Sequence, residues 1–330
     1  MPNRVRFDGS ARRFYEVWYF IFNDPATGDG FWIRYTLLNP LDDHPEAGGA
    51  LWFAQTCRAD PERSFAIRRS FGRRDLAVSP GALDVRIGAA TFTEGRLAGA
   101  FESGGHSVSW NLEYEPSPRP HYYFGETLRR LSARRTSVTV PNPQIHLNGE
   151  LGIDGTSIRL RRAIGHQAHH WGIERAPRWL WGHCCAFDED PAAVLELLAP
   201  EIGGGIQLAF VSLYTAGETL QAMGLRSLLR NRATAGLGFW HFDAITAERR
   251  IIADVHVDPR YVQRFVYVSP SYRTSECWNT QVGDCLVRVY RGADLERVLR
   301  ARGTACAETH DEQPQRIPYR SWSRDRSEQQ

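Results

Sequence analysis

The chain has 330 residues, 42% of them hydrophobic and 24% charged, with a formal net charge of +2. That length exceeds one ordinary core and suits two domains of about 150 residues each. The near-neutral balance argues against a nucleic-acid partner, and no run approaches the ~20 apolar residues of a membrane helix. All 40 basic residues are arginine. Their pairs, such as Arg68-Arg69 and Arg161-Arg162, are scattered along the chain, which is the pattern of solvated surface. Met1–Arg6 is polar and basic with no apolar segment after it, so no secretory signal is expected and the cytoplasm is the expected location. Six irregularly spaced cysteines predict reduced thiols and no disulfide framework.

In chain order, short aromatic and β-branched runs alternate with Gly, Pro, Asn and Asp, the pattern of strands and hairpins. Phe14–Phe22 reads as a strand, Asn23 to Gly30 as its turn and Phe31–Leu38 as the returning strand. Further strands are predicted at Leu51–Cys57, Leu83–Ile87, Ala89–Glu94, Arg96–Glu102 and His106–Glu113. A proline-rich stretch, Glu115 to Pro120, breaks the pattern, and Pro141 and Pro143 mark another loop. From Ile145 the meander restarts with Ile145–Leu151, Ser157–His166 and Leu180–Phe187, then Gly205–Leu213, Leu237–Asp243, Ile251–Val257, Gln263–Ser269 and Cys285–Tyr290. Three helices are predicted: Pro191–Leu198 capped by Asp190, Thr219–Arg230, and Asp294–Arg302 stopped by Gly303. The reading is an all-β chain of two barrels, residues 1–143 and 144–303, with a frayed polar tail over 304–330. Aromatic hairpins near the start of each half, around Trp18 and Trp32 and around Trp171 and Trp181, suggest two copies of one architecture.

The most unusual segment is Gly165-His166-Gln167-Ala168-His169-His170-Trp171-Gly172, followed by Trp179-Leu180-Trp181-Gly182-His183-Cys184. On a strand Gln167, His169 and Trp171 share one face, and on the next strand Trp179, Trp181 and His183 share another. A turn over Ile173–Arg178 is expected to set these rows side by side. Such a face holds indoles worth roughly 1.5–3 kcal/mol each on burial beside imidazoles that need partners, a combination a ligand-lined cavity satisfies. In the first half Glu16, Trp18 and Phe20 alternate on one strand and Trp32, Arg34 and Thr36 on its partner, and a buried Glu16–Arg34 ion pair is expected. His166 and His169 fall on opposite faces and match no zinc spacing, so no metal is expected. The glycines Gly203 to Gly205 precede a strand, not a helix, and no Gly-x-Ser-x-Gly elbow occurs, so neither a nucleotide cofactor nor a serine nucleophile is expected.

These residues resemble a known family. Gly165–Gly172 with Trp179–His183 is similar to the hydroxyneurosporene synthase (carotenoid 1,2-hydratase), AttH-like and tocopherol cyclase-like superfamily. Tyr15–Phe20 resembles its opening aromatic strand, and Cys277–Thr280 with Val287–Val289 its closing strands. The resemblance implies two consecutive lipocalin-like domains, an architecture some fungal Diels–Alderases share. It also implies cofactor-free hydration, cyclisation or isomerisation of an isoprenoid-like or polyketide-like apolar molecule. Such chemistry needs an acid to protonate an alkene and aromatic faces to stabilise the cation. Where the carotenoid hydratases carry an acid in this motif, this chain aligns Ala168. The acid/base candidates are therefore His169, His183 and Glu16. Gln167, Trp171, Trp181, Trp18, Trp32 and Arg34 are the substrate-binding candidates. The missing acid keeps a second reading open, a non-catalytic carrier of a hydrophobic ligand, and a third is a scaffold with solidly packed barrels. The substrate's identity and the oligomeric state are open in the sequence.

Overall fold

A computed structural model describes residues 3–9, 13–40, 47–123, 136–202 and 204–317. They form two large antiparallel sheets, one curled into a nearly closed barrel and one into a half-barrel, which is the all-β, lipocalin-like fold the sequence predicts. Among the described residues no helix is long and apolar enough to cross a membrane.

The first sheet holds β1 (Phe14–Asn23), β2 (Gly30–Asn39), β3 (Gly48–Thr56), β4 (Phe65–Gly72), β5 (Leu76–Val78), β6 (Asp84–Ile87), β7 (Ala90–Thr93) and β8 (Arg96–Ser103). It is completed by β9 (His106–Tyr114), β10 (His121–Tyr122), β11 (Thr136–Ile153) and β12 (Thr156–Gly172). The strand order is β4-β3-β2-β1-β12-β11-β9-β8-β7-β6-β5, so the last strand returns to pair with the first. The long β11–β12 hairpin turns at Asp154-Gly155, both with positive φ, the two-residue turn that Asp-Gly favours.

The second sheet holds β13 (Arg178–Cys184), β14 (Val194–Pro200), β15 (Phe210–Tyr214), β16 (Thr219–Ala222), β17 (Arg232–Gly236), β18 (Phe239–Ile245) and β19 (Arg250–His256). β20 (Gln263–Val268), β21 (Thr274–Arg291) and β22 (Asp294–Asp311) complete it, and a short helix α1 (Leu225–Arg230) precedes β17. Its order, β16-β15-β14-β13-β22-β21-β19-β18-β17, repeats the plan of the first: four strands in a meander, closure of the last strand on the first, and a long terminal hairpin. Two copies of one architecture are therefore present.

Two kinds of strand occur in each sheet. β9 alternates strictly, with Val108, Trp110, Leu112 and Tyr114 inward and Ser109, Asn111 and Glu113 outward, because only one of its faces is covered. β1, β2, β13 and β14 are buried almost throughout and read as near-continuous apolar runs. In the first sheet Trp18, Phe20, Phe22, Phe31, Ile33 and Phe53 pack inward together. In the second the inward core is Leu180, Leu195, Leu197, Val211, Trp240 and Val287 with their neighbours.

Several expectations are corrected. The residues 144–172 belong to the first sheet, not to a second domain; the chain changes compact unit after Arg175, with Thr56–Arg63 also in the second unit and Val268–Arg273 in the first. The proline loops lie before and within β11, and the meander that restarts at Ile145 is the closing hairpin of the first sheet. Pro191–Leu198 is not a helix: Val194–Pro200 is a strand buried on both faces, and a short continuous apolar run does not distinguish the two forms. Thr219–Arg230 divides into strand β16 and helix α1. Asp294–Arg302 is the first half of β22, with Leu299 and Ala301 inward and Arg300 and Arg302 outward, a period of two hidden by its charge density. The strand runs through Gly303 to Asp311, so the expected tail is ordered that far; 318–330 lies outside the described residues.

Candidate functional site

The row Gln167–His169–Trp171 shares a face as expected, but its partner row is on β1, not on β13. Across β1–β12, Glu16 partners Trp171, Trp18 partners His169 and Phe20 partners Gln167. β2 and β11 extend these rungs, giving Tyr35–Trp18–His169–Thr139 and Leu37–Glu16–Trp171–Ser137. Cross-strand partners lie on the same face, so all eight side chains project into the interior of the first sheet. His183 and Trp181 sit in the second sheet, and the expected juxtaposition of His169 with His183 across one hairpin is overturned. β12 and β13 pair with different neighbours because each is needed to close its own sheet.

Glu16 and His169 are both fully buried, with Glu16 Oε1 2.8 Å from His169 Nε2. A carboxyl group inside an apolar barrel requires donors. The segment before β1 supplies them: Arg6 N–H donates to Oε1 at 2.7 Å and Phe7 N–H to Oε2 at 2.9 Å. Trp18 stacks on the imidazole at 5.0 Å with 15° between planes, and Trp171 lies 4.6 Å from it at 40°. The Arg6 guanidinium lies 4.6 Å over the Trp171 ring. On the same two rungs Trp18 Nε1, Ser137 Oγ and Thr139 Oγ1 are buried with no hydrogen-bond partner among the described residues. Each such atom costs about 1–3 kcal/mol if left dry.

Gln167 is placed differently from the expectation of a substrate-orienting amide. It accepts from Asn3 Nδ2 at 3.0 Å and Asn142 Nδ2 at 2.9 Å, and donates to Asn3 Oδ1 at 3.1 Å and to the Ala168 carbonyl at 2.9 Å. That uses its full capacity, so it ties the N-terminal segment and β11 to β12.

Trp32 and Arg34 lie on the opposite face of the first sheet. Residues of β1 and β2 pair so that Tyr19 meets Arg34 and Glu16 meets Leu37, so the even-numbered residues of β1 share a face with the odd-numbered residues of β2 and not with Trp32, Arg34 and Thr36. Glu16 and Arg34 point to opposite faces, and the expected ion pair between them is not formed. Arg34 Nε instead donates to Thr36 Oγ1 at 2.9 Å, and its guanidinium lies 5.6 Å from Trp32 and 5.2 Å from Trp52. The same face carries a polar triad that sequence reasoning missed. Tyr15 Oη is 2.8 Å from His170 Nε2, and Thr136 Oγ1 is 2.9 Å from both. Burial, with Arg175 and Arg34 nearby, holds the His170 imidazole well below its ordinary value, and burial pushes Tyr15 up to about 12. The triad is neutral at pH 7.

In the second sheet Trp179, Trp181 and His183 share a face, opposite the apolar core. His183 Nδ1 is 3.0 Å from Glu196 Oε1, both buried, and Trp181 is parallel to His183 at 6.3 Å. Trp179 covers His310 at 3.5 Å and donates to Glu308, while His310 Nε2 is 2.7 Å from Ser275 Oγ. Among the described residues no group of three or more His, Cys, Asp or Glu is disposed to hold a metal ion.

A family model described as tocopherol cyclase-like matches residues 12–309, the whole span from β1 into β22. The chain belongs to the tocopherol cyclase-like family. Two uncharacterised proteins of Mycobacterium tuberculosis, Rv0493c of strain H37Rv and MT0513 of strain CDC 1551, are each 26% identical to it over 282 residues, 84% of this chain and 82% of theirs. Among solved structures, a Nitrosomonas europaea protein designated AttH is 15% identical with a TM-score of 0.56, covering 90% of this chain and 92% of that one. CghA crystallised with Sch210972 is 10% identical with a TM-score of 0.58, covering 90% and 88%. These likenesses establish the two-barrel, AttH-like fold.

Within this tocopherol cyclase-like chain the inward face of the first sheet therefore gathers Glu16, Trp18, His169, Trp171 and Gln167, while Trp32 and Arg34 lie on that sheet's other face and Trp181 and His183 in the second sheet. Ser137 and Thr139 were missed, because only the β11–β12 register brings them opposite Trp171 and His169. The gathered groups can hold one proton-bearing imidazole in a fixed orientation between aromatic rings, beside polar atoms that still need partners.

Proposed function

We propose that this chain is an enzyme that hydrates, cyclises or isomerises an apolar, isoprenoid-like or polyketide-like small molecule without a cofactor. His169 is its acid/base. The observation that carries this reading is the buried Glu16–His169 pair bordered by two indoles inside the first sheet.

Both Glu16 oxygens accept backbone N–H groups, so the carboxyl group acts toward His169 as an acceptor and Nε2 carries the proton between them. In its doubly protonated form the imidazole keeps Nε2–H on Glu16 and gives its Nδ1 proton to substrate, so Glu16 is a positioning residue. Protonation of an alkene carbon leaves a carbocation, which the faces of Trp18 and Trp171 stabilise. Capture of the cation by water gives hydration, capture by an internal nucleophile gives cyclisation, and loss of a neighbouring proton gives isomerisation. The proton released in each case returns to the imidazole, so the cycle closes without a redox partner.

The test is turnover of a panel of isoprenoid and polyketide alkenes, with products followed by mass spectrometry, for wild type, His169→Gln and Glu16→Gln. His169→Gln should lower kcat by about 10²–10⁴-fold. Glu16→Gln should lose less and displace the pH profile. Wild-type turnover by His169→Gln removes His169 from the mechanism.

A further inference from the structure

Three buried polar atoms on the two rungs around His169 are not used by the proposed proton transfer: Trp18 Nε1, Ser137 Oγ and Thr139 Oγ1. Trp18 and Thr139 flank His169 on one rung, and Ser137 lies on the next, beside Trp171. Their residues are all at least nine-tenths buried. Neighbouring groups that face the same interior are already committed. Tyr35 Oη donates to the Thr91 carbonyl at 3.0 Å and accepts from Trp110 Nε1 at 2.8 Å. Gln167 is saturated, and the Glu16 oxygens accept from Arg6, Phe7 and His169.

An indole N–H only donates, whereas the two hydroxyls donate or accept. The group that satisfies all three therefore presents lone pairs to Trp18 and exchanges hydrogen bonds with Ser137 and Thr139. A pure hydrocarbon satisfies none of them. Glu16 and Arg6, both next to this face, carry charges of opposite sign, which matches a neutral oxygen better than a carboxylate or phosphate.

We infer that the molecule held beside His169 carries a neutral oxygen function, a hydroxyl or a carbonyl, seated on Trp18 Nε1, Ser137 Oγ and Thr139 Oγ1. The inference rests on the reading of the barrel interior as the ligand site, and it narrows the substrate class from apolar chains in general to oxygenated ones. It also fixes orientation: the oxygen anchors one point of the substrate while the alkene is presented to the imidazole.

The experiment is a binding series on the full chain with a linear sesquiterpene hydrocarbon, its primary alcohol and its methyl ketone, read by tryptophan fluorescence quenching and by native mass spectrometry. The alcohol and ketone should bind about tenfold or more tighter than the hydrocarbon, the worth of one well-made hydrogen bond in a buried site. Thr139→Val and Ser137→Ala each nearly keep the shape of the wall and remove one hydroxyl. They should shrink that preference toward unity with little change in hydrocarbon binding. Urea midpoints identify any variant that fails to fold, and the other of the two carries the test if one does. Equal binding of hydrocarbon and alcohol by wild type, or no binding of any of the three, overturns the oxygen subsite. So does an unchanged preference in folded variants. His169→Gln separates this from the catalytic reading: a preference retained alongside undiminished turnover removes His169 as acid/base and leaves the subsite standing.

Discussion

Replacing Glu16 tests the architecture of the site directly. Its carboxyl group takes hydrogen bonds from Arg6 N–H at 2.7 Å, Phe7 N–H at 2.9 Å and His169 Nε2 at 2.8 Å, in a position with no solvent exposure. Glu16→Ala strands all three donors together, and breaking a buried pair in this way costs about 3–5 kcal/mol. Glu16→Gln keeps one accepting oxygen but turns an NH2 toward a donor, so one hydrogen bond is lost and the cost is about 1–3 kcal/mol. Against a typical stability of about 5–15 kcal/mol, the alanine variant should lose a large fraction of the total and the glutamine variant a modest one. Urea denaturation followed by circular dichroism measures both, with the midpoint moving and the slope constant if the folded state is otherwise retained. Limited proteolysis ahead of Phe14 should accelerate in Glu16→Ala, since the segment holding Arg6 and Phe7 loses its anchor. An alanine variant within about 1 kcal/mol of wild type, or a glutamine variant that costs more than alanine, refutes the reasoning.

Two further outcomes follow from the packing. His170 is held well below its ordinary 6.5 in the folded chain, so below that pH the unfolded state binds the extra proton and stability falls as pH drops. His170→Gln should flatten that slope by up to about 1.4 kcal/mol per pH unit, checked by urea midpoints between about pH 7 and about pH 5.5; an unaltered slope contradicts it. A Cβ at Gly165 would stand 2.2 Å from the Ile21 carbonyl oxygen and 2.5 Å from Phe22 Cβ, so Gly165→Ala must push β12 away from β1. The expected loss is about 1–3 kcal/mol, with reduced turnover because His169 rides on the same strand; a wild-type midpoint would show that the strands are not so closely apposed.

Much of the fold was legible, and the reason is visible strand by strand. β8, β9, β18 and β19 alternate because one face of each is covered, and their alternation is written into the residues. β14 and β22 were misread because a doubly buried apolar run and a charge-rich outer edge both imitate a helix. At the site, the parity rule placed Gln167, His169 and Trp171 on one face correctly. It was silent on which strand lies alongside, and a turn between Trp171 and Trp179 was the nearest choice in sequence. The true partner, β1, is some 150 residues earlier, since Glu16 and His169 are separated by 153 positions. Arg34 was misplaced for a smaller reason: the turn bounds already set Phe22 opposite Phe31, and in that register Glu16, Trp18 and Phe20 face the same side as Ile33, Tyr35 and Leu37 and not as Trp32, Arg34 and Thr36. The Tyr15–Thr136–His170 triad and the Ser137 and Thr139 hydroxyls depend on two such registers at once.

The most direct test of the central claim, that the interior of the first sheet holds an oxygenated apolar molecule on which His169 acts, is native mass spectrometry of the protein purified from its own host. Wild type and His169→Gln are compared, and any bound molecule is extracted and identified. The account predicts a bound oxygenated apolar compound in the variant that wild type converts to an isomer or a water adduct. A variant and a wild type that both carry no small molecule, and gain none from host extract, would contradict it.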